Sequence, residues 1–180
     1  MELFQNELDK ASLFMDKNTD EALTDLFKQT KLTISVAETI TEGLLSQRLS
    51  QLPHSPSFFL GGIISNHPMT TIKLCQISPT KLRASADGTI ALEMAKNTNK
   101  LIQSDITLAT AHVSRKEATT TKKNIFIGLF FGKIEKVTGF HFMGSKNAVR
   151  TKTAQTALLF LKQNLENWIN KSSQYQEENE

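Results

Sequence analysis

The chain has 180 residues, of which 39% are hydrophobic and 22% are charged, and its mean hydropathy is −0.27. A chain of this size and composition fits one globular domain, and it is too polar for a membrane protein and too apolar for a disordered one. The net charge is only +3 although the isoelectric point is near 9.0, so a dense basic surface for nucleic acid is not expected.

The distribution of residues disfavours further classes of protein. No apolar run approaches the roughly 18 residues of a membrane-spanning helix, so we expect a cytoplasmic protein with no membrane partner. Cys75 is the only cysteine, so an internal disulfide or a thiolate metal cluster cannot form, and we expect no metal and no cofactor. Four basic residues lie in a loop without aromatic neighbours and are expected to be solvated rather than to bind nucleic acid, namely Arg115, Lys116, Lys122 and Lys123.

The first part of the chain is predicted to form helices and then a strand. Residues 1–19 are predicted to be a loosely amphipathic helical extension, which folds back on its own domain or packs against a partner subunit. A second helix starts at the cap region near Asn18 and ends before Lys31. Alternating apolar and polar residues from Leu32 to Val36 predict the first strand, which leads into a polar loop.

The rest of the chain alternates between predicted helices and strands. In order these are a helix from Leu44 that ends before Pro53, a strand over 58–64, a helix over 69–74, a short helix capped by Ser78, a helix capped by Asp87, a strand over 106–109, a hairpin over 125–131 and 137–142, and a helix over 147–168. This order predicts an α/β fold, a three-layer α/β/α sandwich with a mixed, mainly parallel sheet. The domain is predicted to span 20–169 and to be followed by a disordered acidic tail, 170–180.

The loop from Ala37 to Gly43 is the strongest candidate for a functional site. It leaves the carboxyl end of a strand and enters a helix, which is where open α/β sheets place ligands. Its polar and flexible positions are Glu38, Thr39, Thr41, Glu42 and Gly43. A threonine hydroxyl can attack a carbonyl group if a base and oxyanion donors are present, but the same residue types also cap helices without doing chemistry. Residue types alone leave both interpretations open.

Three segments match, in order and spacing, the motifs of one known family. Residues 36–43 read V-A-E-T-I-T-E-G, beside the family loop V-A-E-S-C-T-G-G. Residues 58–64 read F-F-L-G-G-I-I, beside the strand F-x-G-G-V-V, and residues 142–150 read F-M-G-S-K-N-A-V-R, beside F-x-G-D-R-x-x-V-R. From about Asp20 to Trp168 the chain therefore resembles the CinA C-terminal domain family, whose characterised members are nicotinamide-nucleotide amidases.

The resemblance implies an α/β/α fold and a hydrolase of NAD salvage that converts nicotinamide mononucleotide to nicotinic acid mononucleotide and ammonia. In the family a loop serine is the proposed nucleophile, a tyrosine and a lysine of Y-S-N-E-x-K assist it, and a G-I-A-G-P loop helps to hold the ligand. A nucleotide is therefore the expected small-molecule partner. Self-association is also implied by the resemblance, and we expect a homodimer.

This sequence departs from the family pattern at several of these positions. Thr39 stands in place of the serine, Asn66 in place of the tyrosine and Thr71 in place of the lysine. Residues 111–116 replace the glycine-rich loop, and Ser145 replaces the aspartate of the last motif. A positioned base typically contributes on the order of a hundredfold to ten-thousandfold in rate, so these losses weaken the case for an efficient amidase.

The favoured interpretation is a family member with weakened or lost catalysis that keeps nucleotide binding. The alternative is an active amidase in which Thr39 is the nucleophile and Thr41 and Glu38 orient it. Backbone N–H groups near Glu42 and Gly43 would hold the oxyanion, and His67 is a candidate base. In both cases the predicted substrate contacts are Glu42, Gly43, Asn66, Lys146 and Arg150.

A third interpretation belongs to another class of protein. Residues 1–17 and the acidic tail are the segments through which the chain would act as a protein-interaction or regulatory module. Neither segment overlaps the loop from Ala37 to Gly43, so this interpretation is independent of the chemistry of that loop.

Overall fold

The computed structural model describes residues 17–84, 88–113 and 123–177. The helices are α1 Lys17–Thr30, α2 Leu44–Gln51, α3 Pro68–Leu74, α4 Pro79–Ala84, α5 Thr89–Ile102 and α6 Lys146–Glu177. The strands are β1 Ile34–Glu38, β2 Phe59–Ile64, β3 Ile106–Val113, β4 Lys123–Phe131 and β5 Ile134–Phe142. One turn of 3₁₀ helix, Ser55–Ser57, precedes β2.

The strands form one mixed sheet in the order β2-β1-β3-β4-β5. β1 pairs in parallel with β2 and with β3, whereas the β3–β4 and β4–β5 pairs are antiparallel. β1, β2, β3 and β5 therefore run in one direction and end on the same side of the sheet. We call that side the carboxyl end of the sheet and the opposite side the amino end. The predicted mixed, mainly parallel sheet is confirmed.

Helices cover both faces of the sheet, as a three-layer sandwich requires. Alternation along β1 sends Ile34 and Val36 into a core shared with α1, α2 and α6, and Ala37 into a second core shared with α5. Each large apolar side chain buried in these cores contributes on the order of 1.5–3 kcal/mol. Cys75 is fully buried in the second core, and this burial raises the pKa of its thiol, so the residue serves packing.

Helix α5 lies unusually close to β4 because a glycine stands at their contact. A Cβ atom on Gly128 would lie 2.5 Å from the main-chain carbonyl carbon of Ala91. Any side chain larger than hydrogen at this position would therefore separate the helix from the sheet.

Several element boundaries differ from the sequence prediction. β3 continues to Val113, and α6 continues to Glu177 instead of ending near Trp168. The prediction of a disordered tail is therefore corrected over residues 170–177, which contain no glycine or proline to end the helix. The proposed cap Asp87 and residues 1–16 lie outside the described ranges, and Gly88 is the residue at the N-cap of α5. The domain limits at residues 19 and 169 stay a prediction.

Within the described ranges, no helix is both long enough and apolar enough to cross a membrane.

At the amino end of the sheet, the only tryptophan of the chain, Trp168 on α6, packs against Phe131 with ring centroids 5.1 Å apart.

Candidate functional site

The loop predicted as the site lies at the carboxyl end of the sheet, between the ends of β2 and β3. The N–H of Ser65, directly after β2, donates to the carbonyl oxygen of Glu38 at 2.7 Å. The N–H of Thr39 donates to the carbonyl oxygen of Thr110 in β3 at 3.1 Å. The loop thus starts as a continuation of the parallel ladder, which fixes its position before the chain turns into α2.

Glu38 is fully buried and its carboxylate caps the start of α2. Oε2 accepts hydrogen bonds from the N–H groups of Gly43 at 2.9 Å and Leu45 at 3.1 Å. Oε1 accepts from the N–H of Ser46 at 2.8 Å and from its hydroxyl at 2.5 Å. The negative charge lies at the positive end of the α2 dipole, which favours it there. The side chain therefore holds the loop and the helix together from inside the protein.

Both threonine hydroxyls of the loop bind to β3. Thr39 Oγ1 donates to the carbonyl oxygen of Thr110 at 3.1 Å, and Thr39 is only partly buried. Thr41 is fully buried, and its hydroxyl lies 2.8 Å from that of Thr110. Among the described residues, Thr39 Oγ1 makes no hydrogen bond to Thr41 or Glu38, the two residues predicted to orient it.

The next two residues turn the chain sharply and add a charge cluster. Glu42 and Gly43 both have left-handed backbone angles, with φ values of 51° and 91°. The Glu42 carboxylate lies 2.6 Å from Lys146 Nζ and 3.9 Å from Arg150 Nη1, both on the first turns of α6. Arg150 Nε is buried and has no hydrogen-bond partner in the described part of the chain. The structure thus brings together the predicted contacts Glu42, Lys146 and Arg150.

The segment after β2 supplies a separate set of polar groups. Asn66 is exposed at the end of the strand, on the same side of the sheet as the loop. Thr71 is buried, and its hydroxyl lies 2.5 Å from the buried hydroxyl of Ser65. His67 Nδ1 accepts from the N–H of Met69 at 3.2 Å, so the candidate base acts as the N-cap of α3.

Three residues that complete this arrangement were not singled out in the sequence. Thr110 accepts from Thr39 through its carbonyl oxygen and is hydrogen-bonded to Thr41 through its hydroxyl, Ser65 binds Thr71, and Ser46 donates to Glu38. The signal for Thr110 was a hydroxyl residue directly after the predicted strand 106–109. The signal for Ser46 was a small polar residue in the first turn of a helix that follows a buried acid.

Part of the predicted site lies outside the described ranges. The replacement for the glycine-rich loop extends beyond Val113 into residues outside the described ranges, as do Arg115, Lys116 and Lys122. Within the described ranges, no group of three or more His, Cys, Asp or Glu side chains is arranged to hold a metal ion.

The part of the chain that forms this sheet and its strand-to-helix loop matches the model of a known protein family. The family model for the CinA C-terminal domain matches residues 16–165. The chain belongs to the CinA C-terminal domain family. The match covers the sheet, the loop, the charge cluster and most of α6, so the resemblance of the three motifs is confirmed.

Longer CinA-like proteins contain a region similar to this chain. It is 27% identical over 173 residues to a CinA-like protein of Thermotoga neapolitana, a match that covers 91% of this chain and 42% of that protein. It is 28% identical over 156 residues to a CinA-like protein of Geobacter sulfurreducens, covering 83% and 38% respectively. The chain thus spans about two-fifths of the length of these curated relatives.

Solved structures of the CinA superfamily have the same fold. The competence damage-inducible protein A of Klebsiella pneumoniae superposes with a TM-score of 0.76 at 18% identity, covering 84% of this chain and 97% of that one. A CinA superfamily protein of Escherichia coli superposes with a TM-score of 0.73 at 18% identity, covering 86% and 96%. At this identity the likeness concerns the fold and not the chemistry of the site.

Proposed function

We propose that this chain is a nucleotide-binding member of the CinA family in which hydrolysis of nicotinamide mononucleotide is weak or lost. The observation that carries the proposal is the environment of Thr39. Its hydroxyl donates to a main-chain carbonyl oxygen, that of Thr110. A carbonyl oxygen is too weakly basic to remove the hydroxyl proton, so this contact orients Thr39 without activating it.

The positions that the family uses to assist its nucleophile support the same conclusion. Thr71 stands where the family has a lysine, and its buried hydroxyl is bound to Ser65. Asn66 stands where the family has a tyrosine, and an amide side chain cannot act as a general acid or base near neutral pH. The loss of one positioned base lowers the rate on the order of a hundredfold to ten-thousandfold.

Of the backbone N–H groups expected to hold an oxyanion, that of Gly43 is occupied, and so is the next one along the chain, that of Leu44. The N–H of Gly43 donates to Glu38, and the N–H of Leu44 donates to the carbonyl oxygen of Thr41. An oxyanion would have to displace a buried carboxylate that has four hydrogen bonds, two of them from Ser46. Because an oxyanion hole depends on donors that are already free and aligned, this loop is poorly suited to stabilise one.

Lys146 and Arg150 are the groups that favour retained binding of a nucleotide phosphate. Both cations lie at the start of α6, where the helix dipole also attracts an anion. Glu42 currently neutralises them, and it stands where the family loop has its first glycine. A phosphate must therefore compete with an internal carboxylate, and we expect its affinity to be low.

The test combines turnover and binding on the same purified chain. Nicotinamide mononucleotide is added, and ammonia release and heat of binding are measured for the native chain, for Thr39→Ala and for Lys146→Gln/Arg150→Gln. We expect ammonia release at the background rate, and binding that the double variant abolishes. Lys152→Gln is a matched control, since Lys152 is exposed on the same helix and has no ion pair in the described ranges.

Two results would contradict the proposal. Ammonia release that disappears in Thr39→Ala would establish an amidase with a threonine nucleophile. Equal binding, or equal absence of binding, in the native chain and the double variant would remove the phosphate-binding part of the proposal.

A further inference from the structure

A second concave surface lies at the amino end of the sheet, away from the loop and the charge cluster. It is a cavity of about 510 Å³ between the last turns of α1 and the 3₁₀ turn before β2. Beneath it lie Phe27 and Phe58, parallel stacked rings with centroids 4.5 Å apart that are only 2% and 3% exposed. Small-molecule sites typically enclose on the order of 300–1,000 Å³, so this cavity has the size for a small ligand.

Every charged side chain at the rim of this cavity is a lysine. Lys28 lines it from α1, Lys31 from the position directly after α1, and His54 from the other side. All three are exposed, no acidic side chain lines the cavity, and within the described ranges none of the three forms an ion pair. The carbonyl end of the α1 dipole contributes only about half a negative charge here, which two lysines more than offset.

The backbone at the rim holds two of these side chains in place at an energetic cost. Lys31 and His54 both have left-handed backbone angles, with φ values of 58° and 62°. Lys31 directly follows α1, and its N–H donates to the carbonyl oxygen of Phe27 at 2.9 Å, which is the usual position of a C-terminal glycine. Glycine would fit both positions without strain, yet a lysine and a histidine stand there.

We propose that this cavity, the α1 groove, binds a small aromatic anion. The lysine stems and Pro56, above the buried phenylalanine rings, would cover the ring system, and the amino groups and the imidazole would contact the anionic group. The groove requires no residue of the carboxyl-end site, so its occupancy is independent of the function proposed above. A carboxylate, a sulfonate and a phosphate monoester share the required chemistry.

The experiment uses 8-anilinonaphthalene-1-sulfonate, a fluorescent aromatic anion, with the full chain. N-phenyl-1-naphthylamine provides a neutral probe with a similar ring system. We expect the sulfonate to bind more tightly than the neutral probe, and Lys28→Glu/Lys31→Glu to weaken sulfonate binding by about tenfold or more. Lys100→Gln/Lys133→Gln should bind it like the native chain, since both residues are exposed and lie outside the groove.

Chemical-shift perturbation by nuclear magnetic resonance locates the bound probe and guards against non-specific fluorescence. We expect the largest shifts at residues of the groove. Competition with 1-naphthoate and with 1-naphthyl phosphate then shows whether a carboxylate or a phosphate is preferred. The proposal is overturned if the shifts lie elsewhere, if the neutral probe binds as tightly as the sulfonate, or if both double variants bind it equally.

Discussion

The two ends of the sheet differ in whether their basic side chains have an acidic partner. At the carboxyl end, Lys146 and Arg150 face the carboxylate of Glu42. At the amino end, the three basic residues of the α1 groove have no acidic partner in the described part of the chain. The family resemblance places the expected site at the carboxyl end, yet the cations there already pair with a carboxylate of the same chain. A location that this chain shares with a family and the presence of an unpaired charge are therefore separate properties.

The largest effect is expected from removing the buried carboxylate at the carboxyl end. Glu38→Ala leaves several donors at the start of α2 without their partner, and we expect it to lower the free energy of unfolding by about 2–4 kcal/mol. Glu38→Gln keeps one acceptor oxygen, so we expect it to lower the free energy of unfolding by about half as much. Urea denaturation measures both changes.

The exposed amino end supplies the contrast for this measurement. Lys28→Ala should change the free energy of unfolding by less than about 0.5 kcal/mol, because Lys28 is exposed and unpaired in the described ranges. If Glu38→Ala were as mild as Lys28→Ala, the capping role of Glu38 would be wrong.

An intermediate effect is expected from releasing the cations of the carboxyl end. Glu42→Gly restores the glycine of the family loop at a left-handed position and removes the partner of Lys146 and Arg150. We expect the affinity for nicotinamide mononucleotide to rise about tenfold, as measured by calorimetry, because the competing carboxylate is gone. Glu21→Gly, at an exposed position of α1, is the control for a general loss of charge. An unchanged affinity in Glu42→Gly would show that Glu42 does not compete with the phosphate.

The smallest effect is expected at the rim of the α1 groove. Lys31→Gly relieves the left-handed strain after α1 and should raise the free energy of unfolding by up to about 1 kcal/mol. It should also weaken binding of the aromatic sulfonate, since one cation is lost. Opposite changes in stability and binding would indicate that Lys31 is kept for its charge. A gain in stability with unchanged binding would remove Lys31 from the groove.

The sequence predicted the fold well because periodicity and turn residues are local. The alternation in β1 and the stop at Pro53 were sufficient to place elements near their observed limits, and the three motifs placed the loop at the right strand. The end of α6 was wrong because the polar segment after Trp168 resembles a tail in composition, although nothing in it interrupts a helix.

The position of the candidate loop in the fold was predicted from the sequence, but most of its contacts were not. The sequence identified Glu38, Thr39, Thr41 and Glu42 as polar groups of one loop. Glu38 binds the start of the adjacent helix, but the partners of the other three come from distant segments. Thr41 meets Thr110 of β3, which is 69 residues away in the sequence, and Glu42 meets Lys146 of α6. Such pairings depend on how strands and helices are brought together in three dimensions, and one sequence does not encode them in any local pattern. The roles of these residues in catalysis or binding stay predictions.

The contact between Trp168 and Phe131 makes the amino end of the sheet visible to spectroscopy. Because the chain has one tryptophan, its intrinsic emission reports on a single place, where α6 crosses the end of β4. Unfolding followed by this emission therefore tracks the docking of the last helix onto the hairpin. The loop from Ala37 to Gly43 lies at the opposite end of the sheet from Trp168, so its motion would have to be followed with a separate label.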